Sequence, residues 1–218
     1  MSVCLFSVLI ANYNNSRYLQ EAIDSVLAQT YTNWEIVLVD DRSTDNSFEV
    51  YERYKEDSRF HIYYNDVNRG CGDTKRRCVE VANGELCGFF DPDDKLARNA
   101  LEVMVQQHEE KPQCSLIYST LYLWDSATDS KTILEAVGAM AEGEDFLISS
   151  KKIVSHFAVF KKALYDKTCG IDETLSSAVD FDLYVKLEEI GELYYVDEPL
   201  YYYRQGNVKS ISIGNSES

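Results

Sequence analysis

The run Val3-Cys4-Leu5-Phe6-Ser7-Val8-Leu9-Ile10-Ala11 is apolar at nearly every position, so the strand it forms must be covered on both faces. Such a strand belongs inside a parallel sheet, and the following residues supply the helices that cover it. Asn12-Tyr13-Asn14-Asn15-Ser16 breaks the run. Leu19, Ala22, Ile23, Val26 and Leu27 then recur at helical spacing, with Asn15 or Ser16 placed to cap the helix. Strands over Glu35 to Val39, Phe60 to Tyr64 and Leu86 to Phe90 alternate with helices over Asn46 to Glu56 and Thr74 to Ala82. The pattern predicts an α/β fold with a mostly parallel twisted sheet and helices on both faces.

Sheets of this kind gather ligands where their strands end at the carboxyl side. Asn12 and Asn14 follow the first strand, Asp40-Asp41-Arg42-Ser43-Thr44-Asp45 the second, and Asp91-Pro92-Asp93-Asp94 the strand at Phe90. Three polar clusters at exits of one sheet converge on one edge. The last cluster is the most demanding. At an effective dielectric of about 20, two charges roughly 6 Å apart repel by about 3 kcal/mol, so three neighbouring carboxylates call for protonation or a cation. With oxygen donors alone, Mg²⁺ or Mn²⁺ suits the stretch better than zinc. The competing reading of this stretch by itself is a solvated Asp-Pro turn whose Asp94 caps the next helix.

The second half is less regular. Leu101, Met104, Val105 and His108 share one helix face, which makes His108 a packing residue. Ser115 to Trp124 reads as a strand, Asp125 to Lys131 as an exposed loop, and Leu134 to Lys152 carries no clear pattern. Val179 to Gly191 reads as a helix containing two aspartates. Residues two apart on a helix point about 200° from each other, so Asp180 and Asp182 cannot serve one site. Asp182 heads a polar stripe with Lys186. Asp180 heads the apolar stripe of Leu183, Leu187 and Ile190, an inward carboxylate whose plainer role is to complement the helix dipole. The aromatic tail Tyr194 to Arg204 reads as strand, with its tyrosines used chiefly for packing.

With 21 basic and 37 acidic residues the formal charge is −16, which disfavours nucleic acid and anionic surfaces as partners. The six cysteines form no CxxC pair and read as buried free thiols of a reducing cytoplasm. The apolar run at the start is too short to span a bilayer and lacks the flanks of a signal peptide. The expected organisation is one domain over residues 1–218, with a first half, 1–95, and a smaller mixed second half, 96–218.

Several motifs in series resemble the family 2 glycosyltransferases of the GT-A (Rossmann-like) fold. They are Ser7-Val8-Leu9-Ile10 through Tyr13-Asn14, Ser25-Val26-Leu27-Ala28-Gln29-Thr30-Tyr31, Val39-Asp40-Asp41-Arg42-Ser43-Thr44-Asp45, Asn68-Arg69-Gly70 and Ala82-Asn83-Gly84-Glu85. They continue with Asp91-Pro92-Asp93-Asp94, an Asp-X-Asp pattern, then Asp180-Phe181-Asp182-Leu183 and Glu198-Pro199-Leu200-Tyr201 to Arg204. The resemblance implies a nucleotide-diphosphate-sugar donor, with uridine the preferred base, and a Mn²⁺ or Mg²⁺ ion. It also implies transfer with inversion of a hexose or related sugar. The acceptor would be a carbohydrate or lipid-linked hydroxyl, as in polysaccharide or glycoconjugate assembly. By the same resemblance, residues 1–95 bind the donor and 96–218 the acceptor. Asp41, with Asp40 beside it, would hold the base with the backbone around Ala11 and Tyr13. Arg69 and Lys75 would join the donor site, Asp93 would lie near the ribose, Asp94 with Asp93 would hold the metal, and Asp180 falls on the general base. A cytoplasmic place, including peripheral association with the inner face of the membrane, fits such a role.

The chain also departs from that pattern. Lys75-Arg76 stands where relatives commonly carry Arg-Asn, Arg42 stands where a glycine is usual, and Gly206 replaces a histidine that would be a further metal ligand. Two other readings use the same acidic cluster. A metal-dependent phosphohydrolase or nucleotidyltransferase would turn over a phosphoanhydride without a sugar acceptor, and a non-catalytic binder would hold sugar nucleotides without turnover.

Overall fold

A computed structural model describes residues 4–140, 146, 154 and 156–206. Strand β1 (Phe6–Asn12) lies between β2 (Trp34–Asp40) and β4 (Leu86–Phe89), and β3 (Phe60–Tyr64) flanks β2; all three pairings are parallel. Helices α1 (Ser16–Leu27), α2 (Ser47–Tyr51) and α3 (Cys71–Val81) make the crossovers. Every residue of β2 is buried, as the continuous apolar run requires. Alternate side chains divide between two layers. Val8, Ile10, Ile36 and Leu38 pack with α1, while Leu9, Val37 and Val39 pack with α3.

Beyond β4 the sheet becomes mixed. Next come β5 (Lys95–Leu96), α4 (Ala100–Glu110), β6 (Cys114–Asp125), β7 (Ser130–Ile133), β8 (Ala158–Lys161), α5 (Lys162–Tyr165), α6 (Val179–Glu188) and β9 (Glu192–Gln205). The strand order is β3-β2-β1-β4-β8-β6-β9-β5, with β7 paired to β6. Strand β8 runs antiparallel to both β4 and β6, and β9 runs parallel to β6. This arrangement carries Tyr201 and Arg204 of β9 back to the exit of β4. Helix α6 covers the same face as α3, burying Leu183 and Leu187.

Several local expectations change for identifiable reasons. Helix α2 ends at Tyr51, because beyond it only Tyr54 finds a core partner, stacked on Phe60 at 4.5 Å. The expected cap of α1 by Asn15 or Ser16 is replaced by a distant one, since the Ser16 amide donates to Asp45 Oδ2 at 2.8 Å. Part of the expected loop at 125–131 forms the β6–β7 hairpin, whose turn is held by Trp124 Nε1 donating to Asp129 Oδ1 at 2.9 Å. Of the six cysteines only Cys78, Cys87 and Cys114 are buried, and Cys169 is exposed. His108 is a packing residue as expected, with Nε2 3.0 Å from Val159 O. Most of the unpatterned stretch from Leu134 to Lys152 lies outside the described residues. Among the described residues no helix is long and apolar enough to cross a membrane.

Candidate active site

The exits of β1 and β2 are bound into one polar unit. Asp40 accepts from Tyr51 Oη at 2.6 Å and from the Ser43 amide at 2.9 Å, while the Asn12 amide donates to Tyr51 Oη at 2.7 Å. Asn14 orders the next turn, its Oδ1 accepting the Thr44 amide at 2.7 Å. Arg42 adopts φ +65°, the left-handed region that costs a residue with a Cβ about 1–2 kcal/mol and explains why a glycine is usual there. Asp41 is buried and clamps the loop ahead of α3. Its Oδ1 accepts from Asn65 Nδ2 and the Arg69 amide, both at 2.8 Å, and its Oδ2 accepts the Gly70 amide at 2.9 Å. Among the described residues Oδ2 accepts no second hydrogen bond. Tyr13 stands exposed beside this unit and Ala11 is half-buried. The Arg69 guanidinium lies at the surface, 3.0 Å from Asp66.

At the exit of β4 the acidic stretch turns inward. Asp94 is buried, its Oδ2 accepting from Tyr201 Oη at 2.6 Å and its Oδ1 from the Arg204 amide at 2.8 Å. Helix α4 begins only at Ala100, so Asp94 does not cap it. Burial, followed by the charges of Asp91 and Asp93, holds the Asp94 carboxyl well above the usual carboxylate range; burial and Asp91 raise Asp93 as well. Arg204 closes the back of the cluster. Its Nε donates to Asp93 O and its Nη2 to Glu21 Oε2, both at 2.6 Å.

Asp180 meets this edge from the second half of the chain. Lys75 Nζ donates to both its oxygens, at 2.7 and 2.8 Å. Burial opposes the charge on Lys75, yet Asp180 and then Asp91 hold its pKa above the ordinary lysine value. Two backbone features bring the pair together. Gly72 lets the loop before α6 lie against α3, since a Cβ there would stand 2.7 Å from Leu175 O and 2.8 Å from Asp172 O. Ala178, immediately before α6, takes the left-handed conformation at φ +54°. Asp182 points away and pairs with Lys186 at 2.5 Å, as the helical stripes predict.

The structure thus brings together Lys75, Asp91, Asp93, Asp94 and Asp180, with Asp40 and Asp41 holding the adjoining loops. His156 is a member that sequence reasoning misses. Its Nε2 lies 3.8 Å from Asp91 Oδ2 and its ring packs on Tyr203 at 4.8 Å and Tyr201 at 5.8 Å. The available signal was a lone histidine at the lip of the apolar stretch Phe157 to Phe160. A cavity of about 450 Å³ lies elsewhere, under the β2 exit between Asp40, Arg42, Phe48, Tyr51 and Tyr64, and contains none of the five clustered residues.

Residues 7–168 match the sequence profile described as glycosyl transferase family 2. The chain is 27% identical over 205 residues to the chondroitin synthase of Escherichia coli, covering 91% of this chain and 29% of that protein. It is 28% identical over 220 residues to glycosyltransferase GlyG of Streptococcus pneumoniae, covering 92% of this chain and 71% of that protein. The chain thus spans less than a third of the synthase it resembles. Among solved structures, S. aureus TarS in complex with UDP-GlcNAc superposes with a TM-score of 0.81 at 22% identity, covering 96% of this chain and 61% of TarS. The mannosyltransferase PcManGT of Pyrobaculum calidifontis, solved with GDP-Man and Mn²⁺, superposes with a TM-score of 0.72 at 19% identity, covering 94% of this chain and 57% of that one. Both are glycosyltransferases of the GT-A type, whose mixed α/β sheet this chain shares. With the profile matched over most of its length, the chain belongs to glycosyl transferase family 2.

Proposed function

We propose that the chain transfers a sugar, with inversion, from a nucleoside diphosphate donor to a hydroxyl acceptor during polysaccharide or glycoconjugate assembly. UDP-sugars are the preferred donors, and the acceptor is a carbohydrate or lipid-linked hydroxyl. The observation that carries this reading is the meeting of Asp180 and Lys75 with the Asp91–Asp94 edge at the ends of parallel strands. Residues 1–95 would bind the donor and 96–218 the acceptor. Asp41 and the backbone at Ala11 and Tyr13 would face the base, with Arg69 nearby and Asp93 at the ribose. Relatives named as chondroitin and hyaluronan synthases support a role in polymer synthesis.

In the proposed step the acceptor oxygen attacks the anomeric carbon, its proton passes to Asp180, and the bond to the diphosphate breaks. An ordinary carboxylate is too weak to ionise an alcohol beforehand, so Asp180 would act as the new bond forms, contributing about 10²- to 10⁴-fold. The residues fit a hard cation. Asp94, with Asp93 beside it, offers oxygen donors in a carboxyl cluster; the pKa of both is raised first by burial and then by repulsion from neighbouring carboxylates, both of which a bound cation would offset. Among the described residues no three His, Cys, Asp or Glu side chains form a complete metal set, so diphosphate and water oxygens would fill the remaining positions. When bound, Mn²⁺ or Mg²⁺ offsets charge growing on the departing diphosphate.

Thermal shift with UDP- and GDP-sugars, with and without Mn²⁺, combined with a transfer assay over carbohydrate acceptors, tests the reading. Asp94→Ala is expected to abolish the cation's contribution to nucleotide binding. Asp180→Asn should still bind nucleotide, no more weakly than the parent, and lose transfer, and parental turnover in that variant would remove Asp180 from the mechanism. Phosphoanhydride cleavage without glycoside formation would favour the hydrolase reading.

A further inference from the structure

We propose that Lys75 is shared between Asp180 and the donor's diphosphate, holding the carboxylate while the donor is absent and releasing it when the donor binds. This inference rests on the function proposed above. Lys75 is here a positioning residue: it acts on the acceptor through Asp180.

The geometry is that of a latch. Nζ contacts both oxygens of Asp180, so the whole carboxylate is turned toward the ammonium. The two partners differ in access to water, with 9% of the Lys75 side chain exposed against 38% of Asp180. The ammonium sits 5.0 Å above the Phe89 ring, at the end of β4, and feels Asp91 as its next carboxylate after Asp180. It therefore touches the base and adjoins the end of the strand from which the acidic edge leaves. Two of its three N–H bonds serve Asp180, which leaves one for another acceptor.

A carboxylate with both oxygens turned to one ammonium is not aimed at an acceptor hydroxyl. A bound diphosphate offers several anionic oxygens to the ammonium even with a cation offsetting part of its charge, and a lysine's point charge on a four-carbon stem can follow them. Asp180 would then be free to turn toward the acceptor. The donor and Asp180 thus compete for one cation, and competition makes a prediction of unusual sign. Removing the carboxylate's charge should strengthen nucleotide binding, because the ammonium no longer has to leave a partner.

The test is isothermal titration of UDP in the presence of Mn²⁺ against the full chain and four variants: Asp180→Asn, Lys75→Met, the double variant, and Asp182→Asn. Asp180→Asn is expected to tighten UDP by about fivefold or more. Asp182→Asn, which removes the same charge two residues along from a carboxylate turned away and paired with Lys186, should leave affinity within about twofold of the parent. Lys75→Met should weaken binding, and adding Asp180→Asn to it should change little. Equal tightening with and without Lys75 would reduce the effect to charge repulsion and overturn the latch, as would unchanged or weaker binding in Asp180→Asn. The comparison of Asp180→Asn with Asp182→Asn needs no Lys75 variant, so it decides the sign even if Lys75→Met fails to fold. If neither UDP nor GDP binds the parent, the proposed function falls and the latch with it. UDP binding without the coupling overturns the latch alone.

Discussion

Tyr201 Oη donates to Asp94 Oδ2 at 2.6 Å across 107 positions of the chain, tying β9 to the exit of β4. The same hydroxyl accepts the Asp91 amide at 3.3 Å, and its ring packs edge-on against Phe90 at 6.0 Å. Tyr201→Phe should leave the ring packing and remove the donor, so Asp94 loses the contact that orders one of its oxygens. We expect a loss of about 1–3 kcal/mol in urea unfolding, the usual cost of stranding a buried polar group. Titration of UDP with and without Mn²⁺ should show a smaller gain from the cation. Unchanged values in both experiments would deny Tyr201 any part in shaping the acidic edge.

Arg204 is held as a plane. Its Cζ lies 4.5 Å from the Tyr18 ring centre and 4.4 Å from that of Trp124, while its edge reaches Asp93 O and Glu21 Oε2. Arg204→Lys keeps the charge but loses the fork and the stacking face, so it should cost about 2 kcal/mol. A cycle with Glu21→Gln checks the assignment, since the two losses should not add.

The alternation at the start of the chain made the parallel block legible, because β1, β2 and β3 each carry their whole burial pattern within a few residues. The acidic exits were legible for the same reason, their polar residues directly following apolar strands. What escaped depends on distant partners. The four residues of β8 are a strand only because β4 and β6 lie on either side, and β5 is two residues paired with β9. The cap of α1 comes from Asp45, and His156 reaches Asp91 by way of a stretch without periodicity. The pairing of Lys75 with Asp180 spans 105 positions, so no local pattern could announce it.

Glu35 anchors the opposite edge of the sheet. It accepts Ser7 Oγ at 2.6 Å and the Asn83 amide at 2.7 Å, while His61 Nε2 lies 3.1 Å away. Gly84 is needed beside it, since a Cβ there would stand 2.4 Å from Ser7 Oγ. Burial works against the charge, but the donors of Ser7 and Asn83, then His61, hold the pKa below the ordinary 4.5. A lowered folded pKa contributes stability that is present above pH 4.5 and lost as pH falls through the folded value. Glu35→Gln should cost roughly 1–3 kcal/mol at pH 7, and the penalty should shrink below pH 4.5 in unfolding curves taken across that range.

His108 sets a separate window. Its ring is buried on the sheet-facing side of α4, with Nε2–H donating to Val159 O, and among the described residues Nδ1 has no partner. Burial, followed in sign by the nearby Lys161, pushes the pKa from 6.5 down to about 4, with the carbonyl of Val159 pulling the other way. The folded protein therefore keeps the ring neutral while the unfolded chain takes up a proton, so stability falls as pH drops from 6.5 toward 4. At about 1.4 kcal/mol per pH unit the whole window is worth about 3 kcal/mol, of which about 2 should be gone by pH 5. His108→Gln can still donate to Val159 O and cannot titrate. Urea unfolding at pH 7, 6 and 5 should show the parent losing stability relative to the variant over a range where Glu35 is still charged. The difference between the two isolates His108 from the raised carboxyls of Asp93 and Asp94, which act on both proteins in the opposite sense. A parental loss that survives in His108→Gln would assign the acid sensitivity to other groups.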